Sequence, residues 1–219
     1  MKAVVTAHDF CAPGQAVADL PELTTNILAG SKALYRGHAV AAVAALTDEI
    51  ARDAARLIDV EYEVLPPVLN VREAMLPGAP ILHQSMRTRT PAGPGTDPSN
   101  VVAHAHVAFG GAEAELARCD VVVEGEFSTK MVHQGYIEPQ AATATWNPDG
   151  LVTIWTCTQG SFPARANCAT ILNHPVSKIK VVPTEIGGGF GGKIAVYLEP
   201  LAALLAKKTG KPEIGRAHV

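Results

Sequence analysis

The stretch Thr184–Pro200, "TEIGGGFGGKIAVYLEP", places five glycines and one phenylalanine in the six consecutive positions 187–192. Glycine opens positive φ and lets backbone approach whatever lies beside it, at a cost in chain entropy on folding. A cluster this dense points to something that uses bare backbone, and four readings compete. Gly187, Gly192 and Lys193 fit the phosphate loop G-x-x-x-x-G-K-[ST], but Ile194 stands where a hydroxyl must hold Mg²⁺. Gly187, Gly189 and Gly192 fit the dinucleotide fingerprint G-x-G-x-x-G, whose strand should open its domain; here the strand comes late and carries Pro183. A plain strand-to-helix turn is the third reading, although it needs fewer glycines than these. The fourth depends on the rest of the chain.

Composition narrows the field. The 219 residues suffice for one large domain or two small ones. Hydrophobic residues at 47% and charged residues at 18% describe a globular chain rather than a disordered one. A net charge of −3 argues against a sequence-independent grip on nucleic acid or acidic lipid. Cys11, Cys119, Cys157 and Cys168 are scattered without a Cys-x-x-Cys pair, so they read as small, reduced, mostly core residues rather than as a disulfide scaffold, zinc site or iron–sulfur site. The histidines lack metal spacing, and His104 and His106 read as structural. The opening "MKAVVTAHDF" lacks the basic flank and long apolar run of a signal peptide, and no apolar stretch reaches the ~20 residues of a membrane span. A cytoplasmic protein is expected.

Residues 38–64 predict strand, helix, strand. Val40–Leu46 is short and apolar. Thr47 is placed to cap a helix with Asp48 and Glu49 in its first turn, and Ile50, Ala54, Leu57 and Ile58 repeat at helical spacing. Val60, Tyr62 and Val64 then alternate as a strand that Pro66-Pro67 stops. Residues 86–100, rich in Pro, Gly, Ser and Thr, read as a linker between domains at 1–85 and 101–212.

Beyond the linker, Ala112–Arg118 reads as a short helix and Val121–Phe127 as a strand. Ala142–Trp146 and Leu151–Thr158 form a hairpin across the turn "NPDG". Ser161 is placed to cap a helix running to about Asn173 with Pro163 in its first turn, and Lys178–Val182 is a strand. A last helix is expected from near Lys193 to Lys208, kinked at Pro200 and closed by Gly210. The ending "EIGRAHV" leaves the pattern abruptly. One common sequencing adapter, read in one frame, encodes Ile-Gly-Arg-Ala-His-Val, so residues 213–219 are expected to be a non-native tail after Pro212.

With "GGGFGGK" preceded by "TQG" (Thr158–Gly160) and "HQGYIEP" (His133–Pro139), the chain resembles the molybdopterin-binding large subunits of the molybdenum hydroxylases. These comprise the xanthine dehydrogenase, aldehyde oxidase, carbon monoxide dehydrogenase and 4-hydroxybenzoyl-CoA reductase group. "KAVVTAHDF" and "YRGHAVAAVAALTDEIARDAARLIDVEYEVLPPV" are similar to segments of that family's hammerhead domain. The resemblance implies an α+β chain: a hammerhead-like α/β domain, then the first part of the molybdopterin-binding α+β domain.

It also implies roles. Phe190 and Gly191 would meet a molybdenum cofactor through their backbone, and Gly189, Gly192 and Gln159 would be cofactor-binding with them. Gln159 would donate a hydrogen bond to an oxo ligand at the reacting centre, and as an amide it does so without titrating. Gln159 and Phe190 thus lie near the metal through its oxo ligand rather than as ligands themselves. Bare backbone N–H groups suit an anionic group, and a helix opening after the loop would add positive potential. Lys193 reads as a solvated first-turn residue, with support for the anionic cofactor as the second reading, and Glu138 reads as structural.

The cofactor implied is molybdopterin in its cytosine dinucleotide form, with iron–sulfur clusters and FAD on partner subunits or domains. The reaction implied is oxidative hydroxylation with water as oxygen source, on an aldehyde, heterocycle or aromatic acyl-CoA. Members that take xanthine carry an acidic residue after "GGK", and Ile194 argues against a purine. The family's catalytic glutamate lies beyond this sequence, so the chain is expected to be an internal fragment, inactive alone. A nucleotide-binding protein using Gly187–Lys193 and a non-catalytic binding module remain the alternatives.

Overall fold

The computed structural model describes residues 1–216. The first elements are β1 (Ala3–Val5), α1 (Glu22–Thr25), β2 (Ala42–Ala44), α2 (Asp48–Arg56) and α3 (Val71–Ala74). Then come β3 (Arg87–Thr90), β4 (Gly93–Pro98), α4 (Ala112–Leu116), β5 (Ala141–Trp146) and β6 (Val152–Thr156). The last are α5 (Ser161–Ile171), β7 (Ile179–Pro183), α6 (Glu199–Thr209) and β8 (Glu213–Arg216). The chain forms two compact units: Met1–Glu63 together with the chain from Gln134 onward, and Val64–His133. The α+β class expected from the sequence is the class observed.

The first unit is built on a four-stranded sheet in the order β7-β6-β5-β8. β5 and β6 are the expected hairpin, and β6 runs parallel to β7 with α5 as the connection. Alternation decides the buried face: Ala142 and Ala144 of β5 and Val152 and Ile154 of β6 are buried, while the residues between them are partly or fully exposed. α6 covers β5 with Ala202, Ala203 and Ala206, whose small side chains permit close approach, while Ala164, Cys168 and Ile171 of α5 complete the core.

The same core takes in the N-terminal segment. β1 pairs antiparallel with β2 through Ala3↔Ala44, and Val5, Phe10 and Leu28 join the buried cluster. Asp9 accepts from Thr6 N–H at 2.8 Å, and Lys208 of α6 forms an ion pair with Asp9 while donating to the Val4 carbonyl at 2.8 Å. His38 is buried; its Nδ1 accepts from Leu34 N–H at 3.1 Å, which leaves the proton on Nε2 to donate to the Thr25 carbonyl at 2.7 Å.

Thr47 caps α2, accepting from Ile50 N–H at 3.2 Å, and Gly210 closes α6 at φ 66°, both as the sequence predicts. Several expectations are corrected. α6 starts at Glu199, with Pro200 in its first turn, where a missing N–H costs nothing, so there is no kink. Gly160, not Ser161, caps α5. The expected linker 86–100 contains the β3–β4 hairpin.

Val60–Val64 and Val121–Phe127 are irregular. Val64, Val121 and Val123 are exposed, and among the described residues no strand pairs with either stretch. A strand exists only through a neighbour's ladder, which local alternation does not supply. Glu213–Arg216, expected within a non-native tail, pairs antiparallel with β5 as β8, and residues 217–219 lie outside the described residues.

All four cysteines are free; Cys157 and Cys168 are buried, Cys11 is partly buried and Cys119 exposed. Burial, with the Glu199 charge adding to it, pushes the Cys168 thiol far up, consistent with an inert core residue.

Burial raises the Asp9 carboxyl, but the Lys208 and Thr6 hydrogen bonds outweigh it and hold the group below the ordinary aspartate value. A depressed carboxyl contributes stability that is complete above about pH 4 and is lost as pH falls through the lower folded value. Asp9→Asn is therefore expected to flatten the acid side of the urea-unfolding midpoint measured against pH. An unchanged acid limb would show that the ion pair contributes nothing.

Candidate functional site

The glycine loop and Gln159 are brought together by the sheet. β6 ends at Thr156 and β7 at Pro183, and because the two strands run parallel, the segments leaving them emerge at the same end of the sheet. Thr184 N–H donates to the Thr156 carbonyl at 2.9 Å, extending the pairing beyond the strands. Gln159 is two residues beyond the buried Cys157, and the loop begins just after Ile186.

There the two segments lock. The Gln159 side-chain oxygen Oε1 accepts from Gly191 N–H at 3.1 Å and from Lys193 N–H at 3.2 Å, and Gln159 N–H donates to the Lys193 carbonyl at 2.9 Å. Thr158 Oγ1 also donates to that carbonyl, at 3.3 Å. Two N–H donors converging on one side of the amide identify that side as oxygen. The Nε2 amino group of this exposed residue then faces away from the loop backbone and has no hydrogen-bond partner among the described residues. The side chain is held by its acceptor half while its donor half stays available.

Gly189 and Gly191 explain why side chains are excluded. A Cβ at Gly189 would overlap the Gln159 amide, so the contact requires bare backbone. Gly191 sits at φ 86°, with open space where a Cβ would project. Phe190 also adopts positive φ, at 49°, a conformation unfavourable for a bulky residue, and its side chain is 73% exposed. Gly192 N–H closes a turn onto the Gly189 carbonyl at 2.7 Å, while the N–H groups of Gly188, Gly189 and Phe190 have no acceptor among the described residues. The loop therefore presents several backbone donors beside one amide donor and shows no carboxylate bonded to them. That donor set fits an anionic or oxo-bearing group.

The floor of the loop comes from "GYIEPQ", Gly135–Gln140. Glu138 N–H donates to the Gly187 carbonyl at 3.3 Å, and Gln140 Nε2 donates to the Gly192 carbonyl at 3.0 Å. A Cβ at Gly192 would meet Tyr136 Cε1 and Gln134 Cδ, each at 2.9 Å, and one at Gly187 would overlap Glu138. Glu138 thus acts through its backbone and packing. Sequence reasoning misses the contributions of Tyr136 and Gln140; the segment is irregular and their partner, Gly192, is far away in sequence, so no local signal announces them.

Two expectations are overturned. Lys193 is not solvated: it is 2% exposed, with Nζ donating to the Ile186 carbonyl and lying 4.8 Å from the centroid of the Tyr136 ring. No helix opens after the loop either. Residues 194–198 are irregular, and Glu199, at the start of α6, has its carboxylate occupied by Thr156 Oγ1 at 2.8 Å and Tyr197 N–H at 2.9 Å. Phosphate loops and dinucleotide fingerprints both lead straight into a helix whose N-terminus faces the phosphate, so this arrangement speaks against both. Ile194 is 53% exposed beside the loop. Among the described residues, no three His, Cys, Asp or Glu side chains gather into a metal site.

Comparison with known proteins matches nearly the whole chain, the loop included. The family profile described as "Molybdopterin cofactor-binding domain" matches residues 94–213, and "Aldehyde oxidase and xanthine dehydrogenase, a/b hammerhead domain" matches residues 1–66. The nicotinate dehydrogenase large molybdopterin subunit of Eubacterium barkeri is 30% identical over 185 residues, covering 84% of this chain and 40% of that protein. A probable xanthine dehydrogenase subunit of Bacillus subtilis (strain 168) is 32% identical over 212 residues, covering 97% of this chain and 26% of that protein. Among solved structures, reconstituted CO dehydrogenase from Oligotropha carboxidovorans superposes with a TM-score of 0.81 at 29% identity, over 99% of this chain and 28% of the other. The chain thus spans well under half the length of the relatives it matches. It belongs to the xanthine dehydrogenase and aldehyde oxidase family of molybdopterin-binding oxidoreductases and spans that family's hammerhead and cofactor-binding regions.

Proposed function

We propose that this chain forms one wall of a molybdenum-cofactor site in an oxidoreductase that hydroxylates or oxidises an aldehyde, a heterocycle or an aromatic acyl-CoA, with water as the oxygen source. The observation that carries the reading is the Gln159 amide. Its Oε1 is fixed by two loop N–H groups, and its Nε2 is left as a donor beside further unpaired backbone donors. When bound, the molybdenum cofactor supplies the redox chemistry; the protein's part is to bind, orient and hydrogen-bond.

Within that division, Gln159 Nε2 donates to an oxygen of the group without changing protonation. The backbone of Phe190 and Gly191 would hold the group, and Gly189 and Gly192 would keep the approach free of side chains. The Phe190 ring and the Ile194 side chain are both exposed at the loop and would be free to meet a substrate. We assign the cofactor to the cytosine dinucleotide form and place iron–sulfur clusters and FAD on partner subunits or domains of a cytoplasmic complex. Among the described residues no helix is long and apolar enough to cross a membrane. The site so formed is incomplete without further protein groups, and the chain alone is expected to be inactive.

Ile194 sets the substrate class. An aliphatic side chain cannot accept or donate a hydrogen bond to a purine edge, and a site built to pair such an edge discriminates strongly when the pairing is lost. One relative is named as a probable xanthine dehydrogenase subunit, and the position after "GGK" is where this chain's own chemistry argues otherwise.

Metal and pterin analysis of the purified natural protein carrying this sequence is expected to find molybdenum and pterin in stoichiometric amounts. ATP bound in their place would favour the nucleotide-binding alternative, and neither ligand a non-catalytic module. Gly189→Ala, whose methyl would displace the Gln159 amide, is expected to lower molybdenum content or turnover by about 10–100-fold, the range seen when groups supporting a metal site are lost. On a panel of purines, aldehydes and N-heterocycles, the purines are expected to be the poor substrates. Efficient xanthine turnover would contradict the Ile194 argument.

A further inference from the structure

Lys193 is the only buried lysine among the described residues, and the site as described so far uses its main chain but not its ammonium. Burying an ammonium is costly unless its charge and its donors are satisfied. Here no carboxylate lies within ion-pair distance of Nζ among the described residues. The ammonium donates to the Ile186 carbonyl and rests against the Tyr136 ring, 4.8 Å from its centroid. Ile186 precedes the first glycine of the loop and Lys193 follows the last, so one side chain ties the loop's end to its beginning. The Lys193 main chain is spent on Gln159: its N–H bonds Oε1 at 3.2 Å and its carbonyl accepts from Gln159 N–H at 2.9 Å. A shift of Lys193 therefore moves one of the two bonds that aim the Gln159 side-chain amide, together with the bond that holds the Gln159 backbone.

We propose that Lys193 is the positioning residue of this site: its buried ammonium clamps the mouth of the glycine loop and thereby sets the direction of Gln159 Nε2. The inference rests on the cofactor reading, because it concerns what that amide is aimed at. An apolar residue of similar length would fill the same space but leave the Ile186 carbonyl without its partner and the loop ends untied.

The test uses the complete natural protein with Lys193→Met. Molybdenum-to-protein ratio, the g-values of the Mo(V) paramagnetic signal and the melting temperature are compared with the wild type. The expected result is a molybdenum content lower by about tenfold or more, or a displaced Mo(V) signal in the fraction that remains loaded, with the melting temperature within a few degrees of wild type. Full molybdenum content with an unchanged signal would overturn the proposal while leaving the cofactor reading intact. Wild-type protein without molybdenum would overturn both. Should Lys193→Met be recovered unfolded, Lys193→Gln, whose shorter neutral amide falls short of the Ile186 carbonyl, is read by the same two criteria.

Discussion

The Gln159 side chain accepts two hydrogen bonds from the glycine loop through one oxygen, and the rest of the site is arranged around that fact. An amide has two faces, one accepting and one donating, and pinning the first fixes the second without spending it. The loop must come close enough for its own N–H groups to reach Oε1, which is why Gly189 cannot carry a side chain. Gln159 must stand where the loop passes, which follows from the parallel pairing of β6 with β7 and the Thr184–Thr156 bond beyond it. A sequence of glycines and a lone glutamine become one object only through that pairing.

The support beneath is correspondingly rigid. The residues leading into the Gln159 segment, Thr156, Cys157 and Thr158, are all buried, and Thr156 is tied to the buried Glu199 carboxylate at the start of α6. α6 in turn holds β1 through Lys208, so the N-terminal segment and the strands beneath the glycine loop share one hydrophobic core. Catalytic and binding geometry tolerates little displacement, and placing its fixed groups at the ends of core strands is the general solution.

Much of this is legible in the sequence, for identifiable reasons. The β5–β6 hairpin is announced by "NPDG", α2 by Thr47 with Asp48 and Glu49, and the end of α6 by Gly210; each is a local signal with a local cause. The family is legible because "GGGFGGK", "TQG" and "YIEP" occur together and in order. What escapes the sequence is non-local. Val121–Phe127 reads as a strand, yet has no pairing neighbour among the described residues. Lys193 reads as a surface residue because lysines usually are, and only the fold shows a carbonyl and a ring waiting for its ammonium. Helix α6 is expected too early because nothing local reveals that residues 194–198 cross irregularly before Glu199 finds Thr156.

The proposed function of this site thus turns on the direction of one amide. A structure of the natural protein with its cofactor bound tests this most directly. Gln159 Nε2 is expected at about 2.7–3.2 Å from an oxygen of the bound group, with Oε1 still accepting from Gly191 and Lys193. A bound cofactor that the Gln159 amide does not touch, or a nucleotide phosphate seated in the glycine loop, would contradict it.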